Sequence, residues 1–285
     1  MLRTMVRSLA TIALAVAVCS QTGARDGYPA YPFDDVPGWL AFATIQQWRD
    51  RPYGWSPVST SHHVALFADD LRPWEALPAG RRFIGVGTSG IVPSVFSGVG
   101  RHKYGCDNNS QEMATFSGGP IAEGPVWLLP AGATGVVSVP ITVGTEVDVP
   151  AVGTWNHVPA SIRDAARRAT ASRIYVAGRI SLAQYATGQT TVRTVVVIDG
   201  RVALEQVDTK HYMEGAPPDP VDLDPNGDRD IGIPQPVGAF RFGAEWPMVV
   251  VLWNRAYEGN RFNVLRIDAV GARLLEGPYI YYCAF

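Results

Sequence analysis

Beyond its first two dozen residues the chain has no stretch approaching the twenty or so consecutive apolar positions that a membrane-spanning helix needs. No run of basic side chains occurs, the formal net charge is −2 and the pI is about 6.2, so the electrostatic footprint of a nucleic-acid binder is missing. Histidine is scarce, at five residues, and the sequence His-Glu-x-x-His is absent, which removes the usual zinc-peptidase helix. Cysteine is limited to three: Cys19, Cys106 and Cys283. None has a second cysteine at zinc-ligand spacing; His102, four residues before Cys106, is the one histidine near any of them.

What is present begins with an export pattern. Arg3 and Arg7 precede the apolar run Leu9 to Val18, and Thr22, Gly23 and Ala24 supply the small residues beside which signal peptidase cuts. The expectation is a signal peptide over residues 1–24 and a secreted or periplasmic protein. Ser20, Gln21 and Thr22 end the apolar run too early for a retained membrane helix. Val16, Ala17, Val18 and Cys19 resemble a bacterial lipobox, which makes a lipid anchor at Cys19 the alternative, although Val18 stands where that motif favours a small residue. With the leader gone, Cys106 and Cys283 form an even pair in an oxidising compartment and are expected to bridge. Closing so long a loop stabilises by up to roughly 5 kcal/mol.

Residues 25–285 read as a single, mainly β domain, with antiparallel sheets in a sandwich or barrel-like arrangement and two helices. Val195 to Ile198, Asp199-Gly200 and Arg201 to Val207 predict a hairpin, because Asp-Gly adopts the positive φ angles of a two-residue turn. Met248 to Trp253 and Phe262 to Ile267 predict a second, turning near Gly259, and Tyr279 to Phe285 a last strand. Further strands are expected at His63 to Phe67, Phe83 to Gly87, Val126 to Leu129, Gly135 to Val143 and Arg173 to Ile180. One helix is expected from Pro159 to Ser172, where Ile162, Ala165, Ala166 and Ala169 recur at helical spacing behind a first-turn proline. The other is expected from Gly38 to Trp48, where apolar residues fall on several sides.

The densest chemistry lies at residues 222–230. Asp222, Asp224, Asn226, Asp228 and Asp230 place oxygen-bearing side chains at every second position around Gly227. A calcium ion takes six to eight oxygen ligands, and carboxylates so spaced in a turning loop converge on one point. Left empty and folded inward they would repel one another, a cost that a dication converts into binding energy. Asp222, Asp224, Asn226, Gly227, Asp230 and Ile231 resemble the calcium loop of FG-GAP and integrin-like repeats; Pro225 replaces a frequent glycine there and Asp228 is an added carboxylate. The resemblance implies structural Ca²⁺, and since the loop has no second copy it implies nothing about a propeller. An EF-hand would need a glutamate where Ile233 stands, and a solvated acidic turn is the alternative to any ion.

No catalytic residue is assigned. Ser117, Gly118, Gly119 and Pro120 resemble the nucleophile segment of trypsin-like peptidases, but Phe116 and Thr115 occupy the preceding aspartate and glycine positions, and Ser61-His62-His63 is a poor match for that family's histidine segment. Without an oriented base the serine hydroxyl stays a weak nucleophile. His157 and His211 stand alone in the sequence, and Glu112, Glu123 and Glu258 cannot be paired from spacing. Trp39, Trp48, Trp55 and Trp74 offer either core packing or flat faces for a sugar or protein partner. The sequence thus favours a calcium-stabilised binding or structural protein with an unidentified protein or carbohydrate partner. A secreted hydrolase of polysaccharide or peptide is the alternative.

Overall fold

Apolar residues come in runs, such as Trp39 to Ala43, Val126 to Leu129 and Met248 to Leu252, with glycine or proline between many of them. A strand buried on both faces reads in this way, whereas a half-solvated strand alternates. The computed structural model describes residues 27–33, 36–43, 47–51, 54–58, 63–88, 90–103, 110–118, 122, 124–145, 147, 154–211, 218–224, 231–244, 247–256 and 259–281. Over these residues the chain is mainly β, with antiparallel sheets and two helices.

The first part comprises β1 (Trp39–Ala43), β2 (Gln47–Arg51), β3 (Gly54–Val58), β4 (His63–Leu66), the one-turn helix α1 (Arg72–Glu75), β5 (Arg82–Gly87), β6 (Gly90–Lys103), β7 (Ser110–Gly118) and β8 (Gly124–Pro130). Then follow β9 (Val136–Ser138), β10 (Thr142–Gly144), a 3-10 turn at Thr154–His157, α2 (Ala160–Arg168), β11 (Ser172–Ala177), β12 (Ile180–Ala186), β13 (Thr191–Ile198) and β14 (Arg201–Thr209). The last part holds β15 (Gln235–Phe242), β16 (Met248–Arg255), β17 (Gly259–Ile267), β18 (Ala272–Leu275) and β19 (Tyr279–Tyr281).

Strands β1-β4-β7-β6-β5-β8 close into a barrel, with β8 returning to β1 so that Trp39 lies opposite Leu128 and Ala43 opposite Gly124. A second sheet has the order β10-β11-β12-β13-β14, a third β18-β17-β16-β15-β9 with β19 on β17, and β2 and β3 pair separately.

Successive residues of one strand enter different cores. Trp39, Ala41 and Ala43 share the barrel interior with Trp74, Phe83, Phe96 and Phe116. Leu40 and Phe42 face outward and pack on Phe240, Val249, Val251 and Phe262 of the third sheet. The other face of that sheet, with Met248, Val250, Leu252 and Leu265, packs on Tyr175, Leu182 and Val196 of the second. Ile174, Ala183, Val195 and Val197, on the far face of the second sheet, are covered by Trp155, Ile162 and Ala166. The layers therefore run barrel, third sheet, second sheet, helix, and the inner strands are apolar on both sides because both sides are buried.

The Asp199-Gly200 hairpin forms as expected, with φ of 48° and 80° at the turn joining β13 to β14, and β16 pairs with β17 as expected. The helix expected at Gly38 to Trp48 is not there: Trp39 to Ala43 is β1 and Gln47 to Arg51 is β2. Five consecutive buried residues satisfy a strand lying between two cores as well as a buried helix, and pairing with β4 and β8 decides between them. The other helix is α1, with Pro73 in its first turn and Trp74 buried in the barrel. α2 ends at Arg168, and Ser172 already belongs to β11. The expected strand Gly135 to Val143 is two strands, β9 and β10, with Pro140 between them, and Arg173 to Ile180 is broken by a turn at Gly178 and Arg179. Among the described residues no helix is long and apolar enough to cross a membrane. The expected leader, Cys19, Cys106 and Cys283 lie outside the described residues.

Candidate functional site

The acidic segment is held at both ends. On its incoming leg Val221 and Leu223 are buried while Asp222 and Asp224 are exposed, a period of two that turns both carboxylates to one side. Val221 and Leu223 pack with Ile233 of the outgoing leg on Val192 of β13. The Val221 N–H donates to the Gln189 carbonyl at 2.8 Å, and Lys210 Nζ donates to the Pro220 carbonyl at 3.0 Å. On the outgoing leg His211 N–H donates to Ile231 O at 2.9 Å and Gly232 N–H to Arg255 O at 3.0 Å. Gly232 has φ +86°, and a Cβ there would meet His211 Cδ2 at 2.2 Å and Thr209 O at 2.6 Å, so the close approach requires glycine.

Of the five expected ion ligands, the structure brings Asp222 and Asp224 together. The Asp224 N–H donates to Asp222 Oδ1 at 2.9 Å, a local turn that orients the first carboxylate. Asn226, Asp228 and Asp230 lie outside the described residues. Among the described residues no group of three or more histidine, cysteine, aspartate or glutamate side chains could hold a metal. Asp222 and Asp224 form one wall of an open cavity of about 560 Å³, with Arg167 at the end of α2 and the hydroxyl residues Thr145, Thr170 and Ser172 around it.

Beneath the segment runs a buried polar row that the sequence reading missed. Arg173, Gln184 and Thr194 are cross-strand neighbours on β11, β12 and β13, and all three are buried. Arg173 Nε donates to Gln184 Oε1 at 2.7 Å, Gln184 Nε2 donates to Thr194 Oγ1 at 3.1 Å, and the Thr194 hydroxyl donates to Asp208 Oδ2 at 2.6 Å. Burial pushes the Asp208 carboxyl above its ordinary range, while the hydrogen bonds from Thr194 and Gln206 pull the other way. Gln184 Nε2 also donates to the carbonyl of Pro234, on the outgoing leg of the acidic segment, at 2.8 Å. The signal was legible in principle: Gln184 interrupts a strand of seven buried residues in which its neighbours are chiefly apolar.

A second concavity, of about 780 Å³, lies between the β5–β6 turn and the strand edges at β9 and β10. Ile91, Val137 and Val143, among its lining residues, are exposed by 65%, 39% and 43%. Among the described residues its lining carries no charged side chain. Side-by-side exposure of branched aliphatic residues costs solvation free energy and marks a contact surface more often than single exposed residues do.

The remaining sequence candidates scatter. Strand register sets His63 opposite Ser117, yet the exposed Ser117 hydroxyl donates to the Val95 carbonyl at 3.4 Å. His62, Glu123 and Glu258 lie outside the described residues; Glu112, His157 and His211 are exposed. Trp39 and Trp74 are buried against each other in the barrel, with ring centroids 5.1 Å apart, which makes them core residues and not a binding platform. Trp48 and Trp55 sit on the β2–β3 hairpin. Asp70 is drawn down to about 2 by the side-chain and backbone hydrogen bonds of Arg72, as part of an exposed surface pair. No protein-family model, curated protein or solved structure matches the chain, so the functional reading rests on its own residues.

Proposed function

We propose that this is an exported binding or structural protein whose acidic loop, Asp222, Asp224, Asn226, Asp228 and Asp230, is organised by a structural calcium ion. The observation that carries the reading is the clamping of both legs of the loop: Val221, Leu223 and Ile233 pack on Val192 of the second sheet, the backbone bonds at Val221 and Ile231 join Gln189 and His211 beside that sheet, and Gly232 N–H bonds to Arg255 at the end of β16 in the third. Oxygen ligands strung between two fixed legs lose less conformational entropy on meeting an ion than ligands on a free segment. Asp222 and Asp224, exposed on one side of the incoming leg, supply the first two carboxylates of such a site. Export is supported by the leader pattern of residues 1–24. Binding is supported by the groove with exposed Ile91, Val137 and Val143, uncharged among the described residues, which suits an apolar protein segment better than a carbohydrate.

Thermal unfolding in millimolar calcium, in magnesium and in chelator tests the ion reading. A ligand of the native state stabilises it by about 2.7 kcal/mol at a hundred times its Kd. For a chain of this size that corresponds to a rise in Tm of roughly 5 °C, seen with calcium and much less with magnesium. Equal midpoints in calcium and in chelator would remove the proposal.

A further inference from the structure

We infer that the groove beside β9 takes one extended apolar segment of a partner protein, added as a further strand of the third sheet; this rests on the binding reading above and not on the ion. β9 is an end strand of the middle layer. Val136 packs in the core that joins this sheet to the barrel, and Val139 in the core that joins it to the second sheet. On both sides the covering layer carries one strand more. In the barrel Val86 of β5 is buried against the third sheet, while Ile91 of β6, opposite Val86 in register and so on the same face, is exposed. In the second sheet Tyr175 of β11 is buried against the third, while Val143 of β10, opposite Tyr175, is exposed. Ile91 and Val143 line one groove, of about 780 Å³, together with Val137 and Ser138 of β9. The middle layer therefore stops one strand short of its two covers, and a strand placed there would continue both interlayer contacts.

The open edge of β9 names the chemistry of the occupant. Val139 N–H donates to Ala239 O at 2.8 Å on the β15 side, so the N–H and C=O of Ser138, the residue before it, point away from β15 toward the groove. Among the described residues no strand pairs with β9 along that edge. A main-chain donor and acceptor at strand spacing are matched by another main chain, as when a peptide adds to a sheet edge. A lipid chain would bury that amide and carbonyl unpaired, and a sugar would set hydroxyls against Ile91 and Val143. The opposite ends of the two sheets are guarded by charge, with Arg201, Glu205 and Asp208 on β14 and Arg273 on β18. β9 and β10 carry none. The segment that fits is apolar at successive positions, as β16 is from Met248 to Leu252, because each of its faces meets a core. Pro140, which has no N–H, ends the edge and keeps the segment short.

The test selects random peptides displayed on phage against the full chain, then measures the strongest binder as a synthetic peptide and in two further forms, each N-methylated at one of the two alternate sets of residues. Ser138→Pro deletes the edge N–H and leaves the bond from Val139 to Ala239 in place. Ile91→Asp puts a charge into the wall at an exposed position, and serves should the proline disturb the strand. Val270→Asp, 96% exposed and outside the groove, is the control. Expected are enriched runs of uncharged, mainly β-branched residues, slower hydrogen exchange of the Ser138 N–H in the complex, and binding weaker by about tenfold or more in Ser138→Pro and Ile91→Asp but unchanged in Val270→Asp. One N-methylated form should fail to bind and the other should bind, as a strand paired along one edge requires. Peptides that need Ile91 yet tolerate Ser138→Pro and both N-methylated forms would overturn strand addition and leave the binding reading standing. No enriched peptide, or enrichment indifferent to Ile91→Asp, would sink both. Dimerisation of the chain in sedimentation equilibrium, weakened by Ile91→Asp, would give the groove to a second copy and overturn the inference.

Discussion

The indole nitrogen of Trp127 donates to the carbonyl oxygen of Pro37 at 2.7 Å, fastening β8 to the segment that leads into β1 across the seam where the barrel closes. Trp127 is fully buried and faces outward from the barrel, with Phe240 at 5.8 Å and Phe242 at 5.4 Å between ring centroids. One side chain thus joins barrel closure to the packing of the third sheet. The arrangement depends on Gly38, whose φ is +100° and whose missing Cβ would lie 2.3 Å from Leu128 O and 2.7 Å from Trp127 Nε1.

Gly38→Ala is accordingly expected to destabilise by about 3 kcal/mol or more, from left-handed backbone strain and a backbone clash together. Gly132→Ala is the control: its φ is +88° but nothing lies within 4 Å of the added Cβ, so strain alone should cost about 1 to 2 kcal/mol. Urea unfolding of the two variants measures the difference, and equal losses would show that the seam tolerates a side chain.

Asp208 makes stability depend on pH in a definite direction. Its folded pKa is raised by burial, so between the unfolded value near 3.9 and the raised folded value the native state holds a proton that the unfolded state has released. Stability contributed by this group falls as pH rises through that window and stays lost above it. Asp208→Asn, which can still accept from Thr194, should gain on the wild type as pH rises from 4 to 8. Parallel curves of unfolding free energy against pH would contradict this.

The surface pair of Asp70 and Arg72 should behave in the opposite sense and matter little. A carboxyl held near 2 stays ionised until strongly acid pH, and its contribution fades only as pH falls from about 3.9 toward that value. In a carboxyl NMR titration Arg72→Ala should return Asp70 part of the way to its ordinary range, since the backbone N–H of residue 72 remains. The unfolding midpoint at neutral pH should not move, as expected of an exposed pair.

Replacing Asp222 and Asp224 by asparagine together is expected to abolish the rise in Tm caused by calcium while leaving the midpoint in chelator equal or slightly higher. Removing two like charges relieves repulsion in the empty loop and removes attraction for the ion. A calcium response retained in full by the double variant would place the ion elsewhere.

Ser117 tests the hydrolase alternative directly. Its hydroxyl is engaged with the Val95 carbonyl, and a fluorophosphonate probe is expected to leave it unlabelled even though His63 lies opposite in register. Stoichiometric labelling at Ser117, lost in Ser117→Ala, would move the protein to the enzymes.

Local chemistry alone specified a good part of this molecule. Asp199 and Gly200 demanded a tight hairpin wherever the flanking strands came to lie, and Ile162 and Ala166 gave α2 its buried stripe, because turn geometry and helical period are properties of neighbouring residues. The spacing of Asp222 and Asp224 likewise forecast that two carboxylates would share a side. Tertiary structure decided what neighbours cannot. Trp39 to Ala43 became a strand because Leu128 and Ala65 stand ready on either edge, and because a core lies on each of its faces. Arg173, Gln184, Thr194 and Asp208 come from four different strands, and no local period connects them. Only sheet pairing aligns them, and only burial turns their ordinary polar groups into a directional row, since in water each would have hydrogen-bonded to solvent instead.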